Sequence, residues 1–311
     1  MRKSIEIIEV SPRDGIQNEK TILSTDDKVE LVRRAVAAGV KRLEVTSFVN
    51  PNRVPQMADA EQVAAALPRE PGLRYIGLAL NRKGFERARA AQLHEVTYVV
   101  VASDTFSQRN QGVTTQQGLD SWAEVAAEAK GNMPLGVVIA AAFGCPFEGE
   151  VSVDQLLRVV EACMKSNPIE IALADTIGVA TPNDVHQRVG AVRDAFPEIS
   201  VRLHLHDTRN TGIANAWAGV EAGITSLDAS MGGVGGCPFA PNATGNIATE
   251  DLLYLLDRSG IETGVSMQTA IDTAHWLQGR LGKPSPGLLM KAGGFPPDAI
   301  VPSTNTKTSA S

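Results

Sequence analysis

Cysteine is scarce in this chain. Three residues in 311 (Cys145, Cys163 and Cys237) are too few for a disulfide framework, which points to a reducing compartment, the cytoplasm. A basic excess is also missing: 29 Lys and Arg stand against 35 Asp and Glu, for a net charge of −6. That excludes a broad cationic surface for nucleic acid, though not a local patch for a phosphorylated ligand. No window approaches the roughly 18 uninterrupted apolar residues of a membrane span. The opening MRKSIEIIEV has two basic residues but only a short alternating run, not the apolar stretch of a signal peptide. Two phosphate-binding fingerprints are absent as well. The first strand candidate runs into SPRDGIQNEK rather than G-x-G-x-x-G. The glycines at 232–236 lead into Cys-Pro, not the Gly-Lys-Ser/Thr of a P-loop.

What is present is an ordinary globular composition, 43% apolar and 21% charged. Short β-type runs alternate with helix-type runs almost from end to end. The strand candidates are 5–10, 42–48, 74–80, 96–102, 135–143, 169–175, 201–206 and 226–230. Most are nearly continuous in Val, Ile or Leu, as strands covered on both faces should be. Alanine-rich amphipathic segments lie between them, opened by Thr25-Asp26-Asp27, Ser152, Thr181-Pro182 and Thr249-Glu250-Asp251. Gly39 closes the first of these. Eight strand–helix units in sequence predict an α/β fold, a (β/α)8 barrel, with added helix after Gly260. Length alone permits two domains, but barrels of this size are routinely one. The expectation is a single catalytic barrel over 1–300 and a disordered Ser/Thr-rich tail over 301–311.

In such a barrel, chemistry gathers where the strands end. The residues at or just beyond those ends are Arg13 and Asp14, Glu44 with Thr46 and Ser47, Asp175 and Thr176, and His204-Leu205-His206-Asp207. Residues i and i+2 of a strand share a face, with Cα atoms about 6.5–7 Å apart. Two imidazoles at that spacing can grip one metal ion. A bare H-x-H is as often a pair of ordinary hydrogen-bonded histidines, but two of the five histidines of this chain stand at the end of one strand. Asp14 lies on another odd-numbered strand, and alternate strands fill one layer of a barrel interior. An oxygen from the last loop, such as Asn246, would complete a mixed oxygen and nitrogen set. Lacking thiolate, that set suits Mg²⁺ or Mn²⁺, with Zn²⁺ or Co²⁺ as substitutes.

Arg13 reads either as a solvated cation or partner of Glu44, or as a fixed guanidinium that stabilises an oxyanion. Glu44, in an apolar strand, needs a partner and is expected to orient Arg13, with a structural pair as the alternative. Cys163 sits in a helix pattern and reads as core filler. Cys145 borders the rim and reads equally as structural support or as a substrate contact. Gly232, Gly233, Gly235 and Gly236 let the loop that carries Cys237 fold closely over the site or open away from it.

The segments SPRDGIQNEK (11–20), EVTSFVNPNRVPQMAD (44–59), FGCPFEGEV (143–151), ADTIGVATP (174–182), LHLHDT (203–208) and GGVGGCPFAPNATGNIATEDLLY (232–254) run in order along the chain. On these residues it resembles the 3-hydroxy-3-methylglutaryl-CoA lyase family, within the metal-dependent barrels named for an Asp-Arg-Glu active-site set. The resemblance implies retro-Claisen cleavage of a branched acyl-CoA to acetyl-CoA and acetoacetate. It implies Asp14, His204, His206 and Asn246 as divalent-metal ligands and Arg13 as the arginine that steadies the thioester enolate. Cys237 matches the cysteine that supplies or relays a proton, with Asp14 or His204 as base. Glu44 matches the glutamate linked to the arginine, and Glu250 a loop-anchoring glutamate. Gln17, Ser47, Asp175 and Thr176 fall in the same motifs as substrate or loop supports. Acyl-CoA is the implied partner, and the implied assembly is a homodimer.

This chain departs from the usual pattern at three places. Arg209-Asn210-Thr211 replaces Tyr-Gly-Gln, with Arg209 adding a cation beside the metal site. Asn50, Asn52 and Arg53 replace Ser, Lys and Trp, and the Lys-Gly pair is missing after the cysteine. These changes leave open a related acyl-CoA, with a longer 3-substituent or a citramalyl-type chain. A synthase or aldolase of the same barrel group needs no cysteine loop and fits less well. A barrel that only binds metal is disfavoured by the presence of every ligand together with Arg13 and Cys237.

Overall fold

A computed structural model describes residues 4–236 and 245–295. Eight parallel strands pair in chain order and close on themselves, the last against the first. They are β1 (Glu6–Glu9), β2 (Arg42–Ser47), β3 (Arg74–Ala79), β4 (Glu95–Val101), β5 (Leu135–Ala140), β6 (Ile171–Asp175), β7 (Val201–Leu205) and β8 (Ser226–Ala229). The expected (β/α)8 barrel is therefore the fold. Around it run α1 (Thr25–Ala37), α2 (Ala60–Ala66), α3 (Arg82–Ala90), α4 (Asp104–Gln111), α5 (Thr115–Ala129), α6 (Val153–Met164), α7 (Pro182–Ala195) and α8 (Gly212–Ala222). Then follow α9 (Thr249–Arg258), α10 (Met267–Leu281) and the short α11 (Leu289–Ala292). No helix among the described residues is long and apolar enough to cross a membrane.

Local chemistry accounts for most boundaries. The hydroxyl of Ser152 accepts the Gln155 N–H, and Thr181 and Asp184 form a reciprocal capping box with Pro182 in the first turn of α7. At α1 the cap is Ser24, one residue before the expected start, with Oγ accepting from Asp27 N. Thr249 opens α9 without capping it, because its hydroxyl is spent on Glu9 at 2.7 Å. Strand β5 stops at Ala140, shorter than its apolar run. Ala141 takes a φ of 55°, and its N–H goes to Thr176 Oγ1 rather than to a neighbouring strand.

The main apolar core fills the layer between sheet and helices. Inside the barrel the apolar cluster is small: Ile8, Val10 and Ile76. Much of the remaining interior is charged. Arg42 of β2 bonds Glu95 Oε2 at 2.6 Å and Glu170 Oε2 at 2.9 Å, and Arg202 of β7 bonds both oxygens of Asp228 on β8. All five side chains are at most 8% exposed. Buried charges survive only when paired, and these are paired across the barrel. This charged floor supports the residues at the strand ends above it.

Candidate metal and active site

Arg13 and Asp14 sit in a tight turn, Ser11–Gly15, directly after β1; the N–H groups of Arg13 and Gly15 both return to Val10 O. Gly15 faces the last loop so closely that a Cβ there would lie 2.7 Å from Ser230 Oγ. The Arg13 guanidinium bonds Asp14 Oδ1 on one side and Glu44 Oε1 on the other. With Glu44 1% exposed and Arg13 8%, the arginine is held between two carboxylates at the cavity floor.

His204 on β7 and His206, one residue beyond its end, have their rings side by side. Their Nε2 atoms are 3.2 Å apart, and each lies 3.8 Å from Asp14 Oδ2. Asn246 reaches them because residues 245–248 thread between the ends of β7 and β8. Asp207 N donates to Gly245 O, Ile247 N to Leu205 O, and Ser230 N to Ile247 O. Asn246 Nδ2 then donates to Asp14 Oδ2 at 2.9 Å and to Val234 O at 3.1 Å, leaving Oδ1 buried without a partner.

One atom from each of Asp14, His204 and His206 lies within 4.8 Å of the others. Two ring nitrogens and a carboxylate converge, with no thiolate among them, and the amide of Asn246 is bonded to that carboxylate with its own oxygen unpartnered. That donor set fits a hard divalent cation such as Mg²⁺ or Mn²⁺. Electrostatics agree. Burial would raise the Asp14 carboxyl, but the Arg13 guanidinium and the two histidines outweigh it and hold the group well below the usual carboxylate range. For His204, burial disfavours the charged ring, yet the hydrogen bond to Asp228 and the Asp14 charge push its pKa up.

These groups form the floor of a cavity of about 670 Å³, whose walls on the β3, β4 and β5 side are apolar (Leu78, Val99, Val138). Gln17 and Thr176 line it; Gln17 Oε1 accepts from Ser47 Oγ at 3.0 Å, and Thr176 Oγ1 accepts from Ala141 N. Asn50 and Arg53, two of the departures from the family pattern, also line it. Asp175 does not. Its carboxylate accepts the N–H groups of Val179 and Ala180 and holds the turn after β6. Arg209 is likewise outside the lining residues: exposed, it donates to the carbonyls of Ile177 and Gly178 in that same turn. Glu250 accepts Gly232 N at 3.0 Å and so tethers the start of the glycine loop.

Cys237 lies outside the described residues. Gly236, just before it in sequence, accepts from Asn18 Nδ2 at 2.8 Å through its carbonyl. Cys145 is 3% exposed and off the cavity. Its sulfur takes the Ser103 hydroxyl at 2.8 Å and faces the N–H groups of Phe147 and Glu148, a turn support rather than a substrate contact. Cys163 is core filler, and burial pushes its thiol up to about 12.

Two residues escaped the sequence reading. Asp228, in the plain strand SLDAS, accepts from His204 Nδ1 at 2.9 Å and so leaves Nε2 free to face the ligand cluster. Glu9, at the end of β1, is fully buried. One oxygen accepts Ser11 N and Met231 N, the other the Thr249 hydroxyl, locking the β1 turn to the last loop. The one available signal was a carboxylate inside a β-type run.

A family model described as HMGL-like matches residues 4–277. An (R)-citramalyl-CoA lyase of Chloroflexus aurantiacus is 42% identical over 96% of this chain and 98% of its own length. A hydroxymethylglutaryl-CoA lyase of Bacillus subtilis is 38% identical, covering 91% of this chain and 95% of its own. Among solved structures, an HMG-CoA lyase from Acinetobacter baumannii in complex with coenzyme A and 3-methylmalate superposes with a TM-score of 0.91. It is 38% identical, over 94% of this chain and 96% of that one.

Proposed function

This chain belongs to the HMGL-like family and is a carbon–carbon lyase, and from that premise we propose that it cleaves 3-hydroxy-3-methylglutaryl-CoA to acetyl-CoA and acetoacetate with a divalent cation. The observation that carries this reading is the convergence of Asp14, His204 and His206 beside Arg13 on one cavity floor, with Asn246 bonded to Asp14.

Asp14, His204, His206 and Asn246 would hold the cation. When bound, it polarises the substrate hydroxyl and lowers the cost of removing that proton. Asp14 Oδ2 and His204 Nε2, 3.8 Å apart, are the two groups near enough to take the proton, and the one that takes it would not be a cation ligand through that atom at that step. The alkoxide collapses to the ketone as the C2–C3 bond breaks, and its electron pair moves into the thioester as an enolate. Arg13, fixed by Glu44, stabilises that charge without having to reorient. Cys237 then supplies the proton that converts the enolate carbon to the methyl of acetyl-CoA.

A second reading is (R)-citramalyl-CoA as substrate, favoured by the 42% identity to a lyase of that name. The chemistry is the same; the second product is then pyruvate. A panel of 3-hydroxyacyl-CoAs incubated with Mg²⁺ or Mn²⁺, with acetyl-CoA, acetoacetate and pyruvate each assayed, separates the two. Acetyl-CoA with acetoacetate is expected and should disappear on chelation. No cleavage of any panel member by metal-loaded protein would overturn the lyase mechanism.

A further inference from the structure

Beneath the ligand cluster, Arg202 occupies a place that no step above uses. It lies two residues before His204 on β7, so its side chain enters the barrel on the same face, and it is 2% exposed. Its fork meets Asp228 with both arms, Nε to Oδ1 at 2.5 Å and Nη2 to Oδ2 at 2.7 Å. The same Nη2 stands 3.6 Å from Glu44 Oε2. Glu44 turns its other oxygen to Arg13, and Asp228 turns Oδ2 to His204 Nδ1. Arg202 touches neither the ligand atoms nor the cavity, yet each of its two carboxylate partners carries one residue of the site.

We infer that Arg202 is a positioning residue that aligns both halves of the active site, His204 through Asp228 and Arg13 through Glu44. The inference rests on reading Asp14, His204 and His206 as cation ligands. The physical reason is geometric. A carboxylate bonded on one side only can swing about its χ angles, and a ring or guanidinium bonded to it swings too. A planar guanidinium with several fixed donors pins two carboxylates at once, whereas a lysine offers one point charge on a flexible stem. Glu170, 3.7 Å from Nη1, links the same guanidinium to the Arg42 cluster lower in the barrel. A purely structural ion pair is thus the competing role, and the test has to separate the two.

Arg202→Lys keeps the charge and removes the fork. Outer partners of metal ligands typically contribute 10- to 100-fold, so two separate losses of about 10-fold are expected. Mn²⁺ affinity, read from free Mn²⁺ by electron paramagnetic resonance, falls because His204 loses its orientation. At saturating Mn²⁺ and substrate kcat also falls, because Arg13 is still misaligned. Asp228→Asn should lose more in Mn²⁺ affinity than in kcat, and Glu44→Gln more in kcat than in Mn²⁺ affinity. Arg202→Gln, neutral but able to bond Asp228 once, is the second variant and should show the same pair of losses.

Folded Arg202→Lys with unchanged Mn²⁺ affinity and kcat, or with only a lower melting temperature, overturns the inference. So does failure of both Arg202 variants to fold, which assigns the residue to the fold. A parent protein that binds no Mn²⁺ overturns the ligand reading itself, and this inference with it. A parent that binds Mn²⁺ and cleaves substrate beside an unaltered Arg202→Lys overturns this inference alone.

Discussion

His204, in the fully buried strand β7, and His206, just beyond its end, face each other across 3.2 Å between their Nε2 atoms. Nδ1 of His204 is engaged by Asp228, while Nδ1 of His206 is buried without a partner. Two imidazole nitrogens this close, with Asp14 Oδ2 3.8 Å from both, hydrogen-bond to each other and, under the proposed function, are the nitrogens that would share a cation.

His206→Ala removes one ligand and leaves His204 oriented. Mn²⁺ affinity should fall by at least about 100-fold, more than loss of an outer partner costs. Titration of Mn²⁺ into the metal-free variant measures it. An affinity equal to that of the parent would remove His206 from the ligand set.

Cys237→Ser should separate binding from turnover. If the thiol is the proton donor, kcat falls by about 10²- to 10⁴-fold, as loss of a general acid does, while Mn²⁺ affinity stays at the parent value. Parallel loss of both would make Cys237 a structural residue of its loop.

Gly235 has a φ of 137°, and a Cβ there would lie 2.5 Å from Asn246 Nδ2. Gly235→Ala should therefore push Asn246 off the cluster. Mn²⁺ affinity is expected to drop about 10-fold, together with a lower melting temperature, because the φ at this position strains any side chain. Unaltered affinity would argue that Asn246 contributes nothing to cation binding.

Glu250 is buried, which raises its carboxyl pKa to about 7 despite the bond from Gly232 N; the nearby Asp251 and Glu9 charges add to the rise. A raised carboxyl keeps its proton when folded and loses it when unfolded between the two pKa values. The protonated folded state is thus favoured at low pH, and that advantage is lost as pH rises from about 4.5 to about 7. Glu250→Gln should raise the melting temperature relative to the parent at about pH 8 and leave it unchanged near pH 4. The same difference at both pH values would contradict a buried, proton-linked Glu250.

Arg42→Met leaves Glu95 and Glu170 buried without their shared cation. Breaking one partner of a buried pair costs about 3–5 kcal/mol, which urea unfolding would read directly. A loss below about 1 kcal/mol would mean the charged barrel floor relaxes or takes in water.

The barrel was legible because eight apolar β-type runs alternate with capped helices, and each cap is a local event within four residues. Ser152 and Thr181 begin their helices as expected, while Ser24 shows the usual slip of one position. Arg13, Asp14, Glu44, His204 and His206 were legible because strand ends in a barrel converge by topology alone. Asp228 and Glu9 were not, since a single carboxylate in a short strand looks the same whether its partner lies across the barrel or in solvent.

The sequence by itself thus determined the strand order, the end of the barrel where chemistry gathers, and the residue types that meet there. These follow from local periodicity, capping and the closure of parallel strands. The tertiary structure alone decided that residues 245–248 thread between the ends of β7 and β8, that Arg209 clasps the β6 turn instead of facing the cluster, and that Arg202 bonds Asp228 with its fork while standing 3.6 Å from Glu44. Each of these depends on which side chains face one another across the closed barrel, a distance in space that no spacing along the chain encodes.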